Sequence, residues 1–325
     1  MDPTVKDHRV NEYLLRLNRC IDYIQKHYAD SLNLSKLAEV ACFSRFHFHR
    51  LFRALIGETV NDFVQRVRLE KATQRLILYK DQPITDIALS CGFSSSQNFA
   101  RCFKSYFGVT PSHVRAEYNW STWAASLNLM KEENGAQRHP EQAERLRNYL
   151  RQHNIAADDL ISSSTPMPVT IQQLPALRVA YVRTRGPYQV EAIRSAFDSV
   201  LRWARPKGLL DGNPIVLGVL WSTPSITPRE KLIYDAGIAM PDTIKADKWV
   251  NIQTLKGGRF AVCHCEVEDR RHEEAWMQLI LNWLVASDYQ PDDRPGYEIY
   301  YSDSTSNDQR RTLLDLCLPI KPLKG

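Results

Sequence analysis

The chain repeats itself on two different scales, and those repeats restrict its fold more than any other feature. In the first third, Leu34-Ser35-Lys36-Leu37-Ala38 returns fifty residues on as Ile84-Thr85-Asp86-Ile87-Ala88, and Cys42-Phe43-Ser44 returns as Gly92-Phe93-Ser94. Past one inserted residue the offset becomes 51, so that Phe48, Arg50, Phe52 and Gly57 match Phe99, Arg101, Phe103 and Gly108. Further on, Val169-x-Ile171-Gln172-x-Leu174-x-x-x-Arg178-x-Ala180 returns at offset 81 as Val250-x-Ile252-Gln253-x-Leu255-x-x-x-Arg259-x-Ala261. A repeated unit too small to bury its own apolar face packs against its copy. The reading is therefore multidomain: a doubled domain over 1–118, a connecting segment over 119–167, and a second doubled domain over 168–321. The connecting segment holds one amphipathic stretch, Pro140 to His153, and ends in the boundary-like run Ser162-Ser163-Ser164-Thr165-Pro166-Met167-Pro168.

The first domain reads as all helix, with its strong breaks at Gly57, Pro83, Gly92, Gly108 and Pro111. Two short helices joined by a tight turn, present twice, form a pair of helix-turn-helix units. In the second helix of the first unit, Phe48, Leu51, Phe52 and Leu55 fall on one stripe and Phe46, His49, Arg50 and Arg53 on the other. The copy places Phe99, Cys102, Phe103 and Tyr106 inward and Gln97, Ala100, Arg101 and Lys104 outward. Arg pairs with guanine O6/N7, Gln with adenine N6/N7, and an apolar group meets the thymine methyl, so such a face has the chemistry to read base edges. Ser44, and Ser94 or Ser95, are placed to cap these helices. A linking helix over Val60 to Leu78 spans about 28 Å at 1.5 Å per residue. Successive major-groove turns lie about 34 Å apart, so a monomer could read a bipartite site while bending the duplex.

Charge agrees. Residues 1–120 carry 17 Lys/Arg against 12 Asp/Glu, whereas 121–325 carry 25 of each, so the positive excess of the chain belongs to its first third. No run approaches the roughly 18 apolar residues of a membrane span, and the start lacks the pattern of a signal peptide, so the expectation is a cytoplasmic protein with no membrane partner. The seven cysteines contain no C-x-x-C. Cys263-His264-Cys265 resembles a metal cluster only superficially, since strand alternation puts the imidazole on the face away from the thiols. No metal or cofactor is expected.

From Val169 onward, β-branched runs alternate with two helical stretches, giving an α+β domain of two duplicated strand-helix-strand-strand units. The first helix would bury Ile193, Ala196, Phe197, Val200 and Leu201, and the second Trp276, Leu279, Ile280, Trp283 and Leu284. Strands around 215–220 and 296–302 would follow, building paired sheets with the helices on one side.

Two resemblances add to this reading. Residues 14–118, through Ile84-x-x-Ile87-Ala88-x-x-Cys91-Gly92-Phe93 and Phe99-x-x-x-Phe103-Lys104-x-x-x-Gly108-x-Thr110-Pro111-x-x-x-Arg115, resemble the DNA-binding domain of AraC/XylS-family transcription regulators. The domain is amino-terminal, in the Rob-like order. The resemblance implies double-stranded promoter DNA as partner, with Arg50 and Arg101 as principal contacts and Arg45, Phe46, His49, Arg53, Ser96, Gln97, Asn98 and Lys104 beside them. It further implies activation, with RNA polymerase a candidate partner. Cys42 departs from the family in a turn that ordinarily carries glycine, and Val114 replaces the usual aromatic. Residues 168–320, through Val179-Ala180-Tyr181-Val182-Arg183-x-Arg185-Gly186-Pro187-Tyr188, Tyr234-Asp235-Ala236-Gly237 and Tyr297-Glu298-Ile299-Tyr300, resemble the GyrI-like small-molecule-binding domain of multidrug-sensing regulators. That resemblance implies a small amphipathic, cationic effector held by Glu298 in an aromatic pocket, with Tyr300, Trp221 and Tyr188 as further walls. The alternatives for this domain are a protein-binding module or a hydrolase of reactive ring compounds. No catalytic residue is expected, because the chain has no P-loop, no G-x-S-x-G and no H-E-x-x-H; His272-Glu273-Glu274 lacks the second histidine.

Overall fold

The computed structural model describes residues 3–117, 168–224, 226–245, 247–268, 272–284, 287–301 and 311–322. The connecting segment, with its expected helix over 140–153, lies outside the described residues.

Seven helices make the first domain: α1 (Pro3–His27), α2 (Leu34–Val40), α3 (Arg45–Ile56), α4 (Val60–Leu78), α5 (Ile84–Ser90), α6 (Ser96–Phe107) and α7 (Pro111–Glu117). Local chemistry sets their bounds. Ser44 Oγ accepts from His47 N and Ser95 Oγ from Asn98 N, while Thr59 Oγ1 accepts from Asp62 N at the start of α4. Both α3 and α6 end on a left-handed glycine, Gly57 and Gly108. Their inner stripes meet in one core, where Phe48, Phe52, Phe63, Phe99 and Phe103 are almost fully buried and Phe52 meets Phe63 edge-on at 5.6 Å.

The two helix-helix turns repeat each other's backbone bonds. Phe43 N donates to Ala38 O and Phe93 N to Ala88 O. The second turn passes through Gly92 at φ +84°, where a Cβ would stand 2.8 Å from Ala29 O, so only glycine fits. The first passes through Cys42 at φ 54°, in the turn where the resemblance leads one to expect glycine. A side chain is tolerated there because it points outward, leaving only the left-handed backbone cost of about 1–2 kcal/mol.

The second domain contains β1 (Val169–Leu174), β2 (Leu177–Arg185), α8 (Val190–Ala204), β3 (Val216–Leu220), β4 (Ile233–Ala239), β5 (Asn251–Leu255), β6 (Gly258–Glu268), α9 (His272–Gln278), β7 (Tyr289–Pro291), β8 (Gly296–Tyr300) and β9 (Arg311–Pro322). A π-helical turn, Leu279–Leu284, prolongs α9. Two features differ from the sequence expectation. The strand expected before each helix is broken in two, so the first unit runs strand-strand-helix-strand-strand and the second adds the short β7 after its helix. The paired sheets are also continuous, in the order β1-β6-β9-β8-β3-β4-β2-β5, with β7 pairing β9. The pieces of each broken strand do not pair together. Instead β1 pairs β6 (Val169↔Cys263) and β2 pairs β5 (Tyr181↔Asn251) in a single antiparallel register, so the matching strands of the two repeats cross and exchange ends. At the other join, β3 and β8 pair antiparallel, bringing Gly218 opposite Glu298. The expected apolar faces of α8 and α9 are inward: Ala196 and Val200 on the first, Leu279 and Leu284 on the second.

Side-chain bonds unite the two domains. Asp22 of α1 accepts from Tyr181 OH at 2.5 Å and from Arg183 Nη2 at 2.8 Å, and Asn18 donates to Asn251 at 3.0 Å. Glu58, already paired with Arg66 inside the helical domain, also takes Lys231 at 2.9 Å. From α4, Gln74 donates to Thr223 and Arg75 pairs with Asp293, and Tyr79 OH, just past its end, donates to Pro291 O.

Candidate functional site

On α3, Arg45, His49, Arg50 and Arg53 are exposed; on α6, Gln97, Arg101 and Lys104 are exposed. The Phe46 side chain lies outside the described residues. Several arginines elsewhere in the domain are paired. Arg16, Arg66 and Arg75 each have a carboxylate partner. Among the described residues, Arg45, Arg50, Arg53, Arg101 and Lys104 have no ion pair, so both outward stripes present uncompensated positive charge. Ser96 and Asn98 are only half-exposed. The Asn98 amide is also engaged locally, donating to Ser94 Oγ at 3.0 Å and accepting from the Cys102 thiol at 3.2 Å. It holds the start of α6 more than it faces outward.

The second site is a cavity of about 880 Å³. All four residues expected from sequence line it: Tyr188, Trp221, Glu298 and Tyr300. Glu298, on β8, is 2% exposed. It accepts from His272 Nδ1 at 3.2 Å, from Trp276 Nε1 at 2.9 Å and from Tyr300 OH. Burial alone would raise its pKa, but the bonds from His272, Tyr300 and Trp276 and the charge of His272 outweigh it and hold Glu298 below the usual carboxylate range. Tyr234 OH lies 2.9 Å from Tyr300 OH, and its ring passes over Gly218, where a Cβ would lie 1.8 Å from the phenol oxygen. Phe197 meets Tyr300 edge-on at 5.2 Å, and Tyr188 meets Tyr234 at 5.8 Å. The result is a buried carboxylate inside a ring of aromatic groups.

Trp221 and Tyr188 take part differently from Glu298. The Trp221 indole donates to Asp235 at 2.7 Å, and Tyr188 OH donates to the Ser222 carbonyl at 3.0 Å, so both present ring surface to the cavity. Sequence reasoning missed His272, whose partner comes from β8, as well as Phe197 and Trp276, read there as buried helix positions, and Tyr234, read only as part of a resemblance motif. It also missed that Lys71, Gln74 and Arg75 of α4 belong to the same cavity wall. Cys263 and Cys265 share a strand face away from His264, which pairs with Asp315 at 2.6 Å. Among the described residues no group of three or more His, Cys, Asp or Glu could hold a metal ion, and no helix is long and apolar enough to cross a membrane.

Residues 37–117 match a helix-turn-helix domain model and residues 167–321 match the GyrI-like small molecule binding domain. The SPbeta prophage-derived regulator YosT of Bacillus subtilis is 32% identical over 110 residues, which are 34% of this chain and 73% of that one. An uncharacterized HTH-type transcriptional regulator of Staphylococcus aureus is 38% identical over 102 residues, 31% of this chain; the chain spans 14% of that relative's length. An AraC-type regulator structure from Chromobacterium violaceum is 27% identical, covering 31% of this chain and 90% of that one at a TM-score of 0.30. The EcmrR C-terminal domain is 11% identical, covering 49% of this chain and 99% of that one at a TM-score of 0.40.

The chain belongs to the AraC-type helix-turn-helix transcription regulators. It is a DNA-binding regulator that carries a GyrI-like small-molecule-binding domain.

Proposed function

We propose that this regulator activates transcription from promoters with a bipartite site, which one copy of the chain reads through α3 and α6, and that a lipophilic cation in the Glu298 cavity modulates it inside the cell. The observation that carries the effector reading is Glu298 itself: a buried carboxylate ringed by aromatic groups, whose nearest cation is the titratable His272 rather than a permanent charge. Arg50 and Arg101 are the base-edge contacts; Arg45, His49, Arg53, Gln97 and Lys104 support them through bases or phosphates, and Ser96 and Asn98 order the helix start. The activator assignment follows the family resemblance. An activator raises in vitro transcription from a promoter carrying its site; a fall would make it a repressor.

The test uses DNA selected by the wild-type protein from a random pool. Arg50→Ala and Arg101→Ala should each weaken binding by about 1–3 kcal/mol and relax base preference at one half-site. Unchanged affinity in both variants removes α3 and α6 from the interface. For the cavity, tetraphenylphosphonium should quench tryptophan fluorescence saturably in the wild type, with affinity at least about tenfold lower in Glu298→Gln. Equal binding by the two proteins removes Glu298 from the site.

A further inference from the structure

The cavity has a second charged wall that comes from the DNA-binding half of the molecule. Lys71, Gln74 and Arg75 lie at i, i+3 and i+4 on one face of α4, and all three line the cavity that holds Glu298. The end of β7, the loop between β7 and β8 and the segment after β3 fasten α4 and its C-cap there, through Tyr79 to Pro291, Arg75 to Asp293 and Gln74 to Thr223.

Charge in this wall is unevenly matched. Arg75 pairs with Asp293, and Arg294 lies against Asp292 at 2.7 Å. The Gln74 amide is taken by Thr223 Oγ1 at 2.9 Å. Lys71 has only a long contact, 3.4 Å, from its ammonium to the backbone carbonyl of Asp293, and no carboxylate within ion-pair distance among the described residues. It is half-buried, so water screens it less than a surface lysine. One cavity thus contains a carboxylate lacking a permanent cation and a lysine lacking a carboxylate, on elements from different domains.

Resting on the effector reading above, we propose that the effector is bipolar: its cationic end is held by Glu298, and a carboxylate or similar acceptor elsewhere on the same molecule is held by Lys71. Lys71 is then a specificity-determining residue contributed by the strut between the two helix-turn-helix units. Occupancy bridges the sensing sheet directly to that strut.

The experiment compares octylamine with 8-aminooctanoic acid on the full chain, following intrinsic tryptophan fluorescence, to which Trp221 and Trp276 in the cavity wall contribute. The two probes share an amine and an alkyl chain and differ in the terminal carboxylate. A charged hydrogen bond in this setting corresponds to about a tenfold preference for the amino acid in the wild type. Lys71→Met should abolish the preference by weakening 8-aminooctanoic acid while leaving octylamine unchanged, and Lys71→Arg should keep it. Glu298→Gln should weaken both probes about equally. Thermal unfolding of each variant verifies that it is folded. Octylamine binding the wild type as tightly as the amino acid, or a preference that survives Lys71→Met, overturns the bipolar assignment while leaving the cationic pocket intact. Binding of neither probe, or binding of both unaltered by Glu298→Gln, overturns the pocket reading and the bipolar assignment together.

Discussion

Two carboxylates are buried in the same sheet, Asp235 on β4 and Glu298 on β8, and each accepts a tryptophan N–H. Around Asp235 the remaining partners are permanent. Arg183 donates to it twice, at 2.6 and 2.7 Å, and Gln253 donates at 2.9 Å, while Arg183 also reaches across to Asp22 in α1. Around Glu298 the partners are two neutral donors and a histidine whose charge depends on pH, and the group opens on a cavity. One carboxylate is spent on holding the two domains together. The other is kept ionised by hydrogen bonds but left without a fixed counter-charge. Fold position and residue chemistry alone would not separate them; the identity of the cation does.

The contrast predicts different responses to substitution. Arg183→Met strands Asp235 and Asp22 as buried charges, and should cost about 3–5 kcal/mol in urea denaturation. A loss below about 1 kcal/mol would end the distinction between a locked and an open carboxylate. Glu298→Gln keeps the shape and removes one charge whose partners are hydrogen bonds. It should cost about 1–2 kcal/mol at neutral pH, less than the arginine change, while its main effect falls on amine binding. The smallest expected effect is a pH dependence. Because the folded Glu298 pKa is depressed, its contribution is complete above the unfolded glutamate value of about 4.3 and fades as pH falls through the folded value. The stability gap between wild type and Glu298→Gln should therefore narrow as pH falls below the unfolded glutamate value and close in acid. A gap that widens in acid would mean that Glu298 is protonated in the native state.

Much of this was readable in the residues, and what was not has a physical reason. The bounds of α4 and the caps of α3 and α6 are set by neighbours along the chain, Thr59, Ser44 and Ser95, so the sequence displays them. The strain at Cys42 was visible because Gly92 marks the same place in the copy. The crossing of the repeats was not, since period-two alternation says which face a residue takes but not which strand lies beside it. Lys71, Gln74 and Arg75 look like any solvated helix face until a second domain is laid over them. His272 read as half of an incomplete motif because its partner, Glu298, arrives from another strand. Asp22 and Arg183 were two unremarkable charges in different domains, and nothing local announces that they meet.

The exchanged strands also set an order on how the protein comes into being. Val169 begins a strand whose neighbour starts at Gly258 and closes on it at Cys263, so β1 emerges from the ribosome long before it has anything to pair with. The helical domain needs no such wait for most of its core, whose members lie within residues 17–114 apart from Ile233 and Trp221. A half-made chain therefore already carries α3 and α6 while the sheet is still a set of open edges, the form most exposed to wrong pairing. Newborn molecules complete the helical half before the cavity that the two domains share can exist.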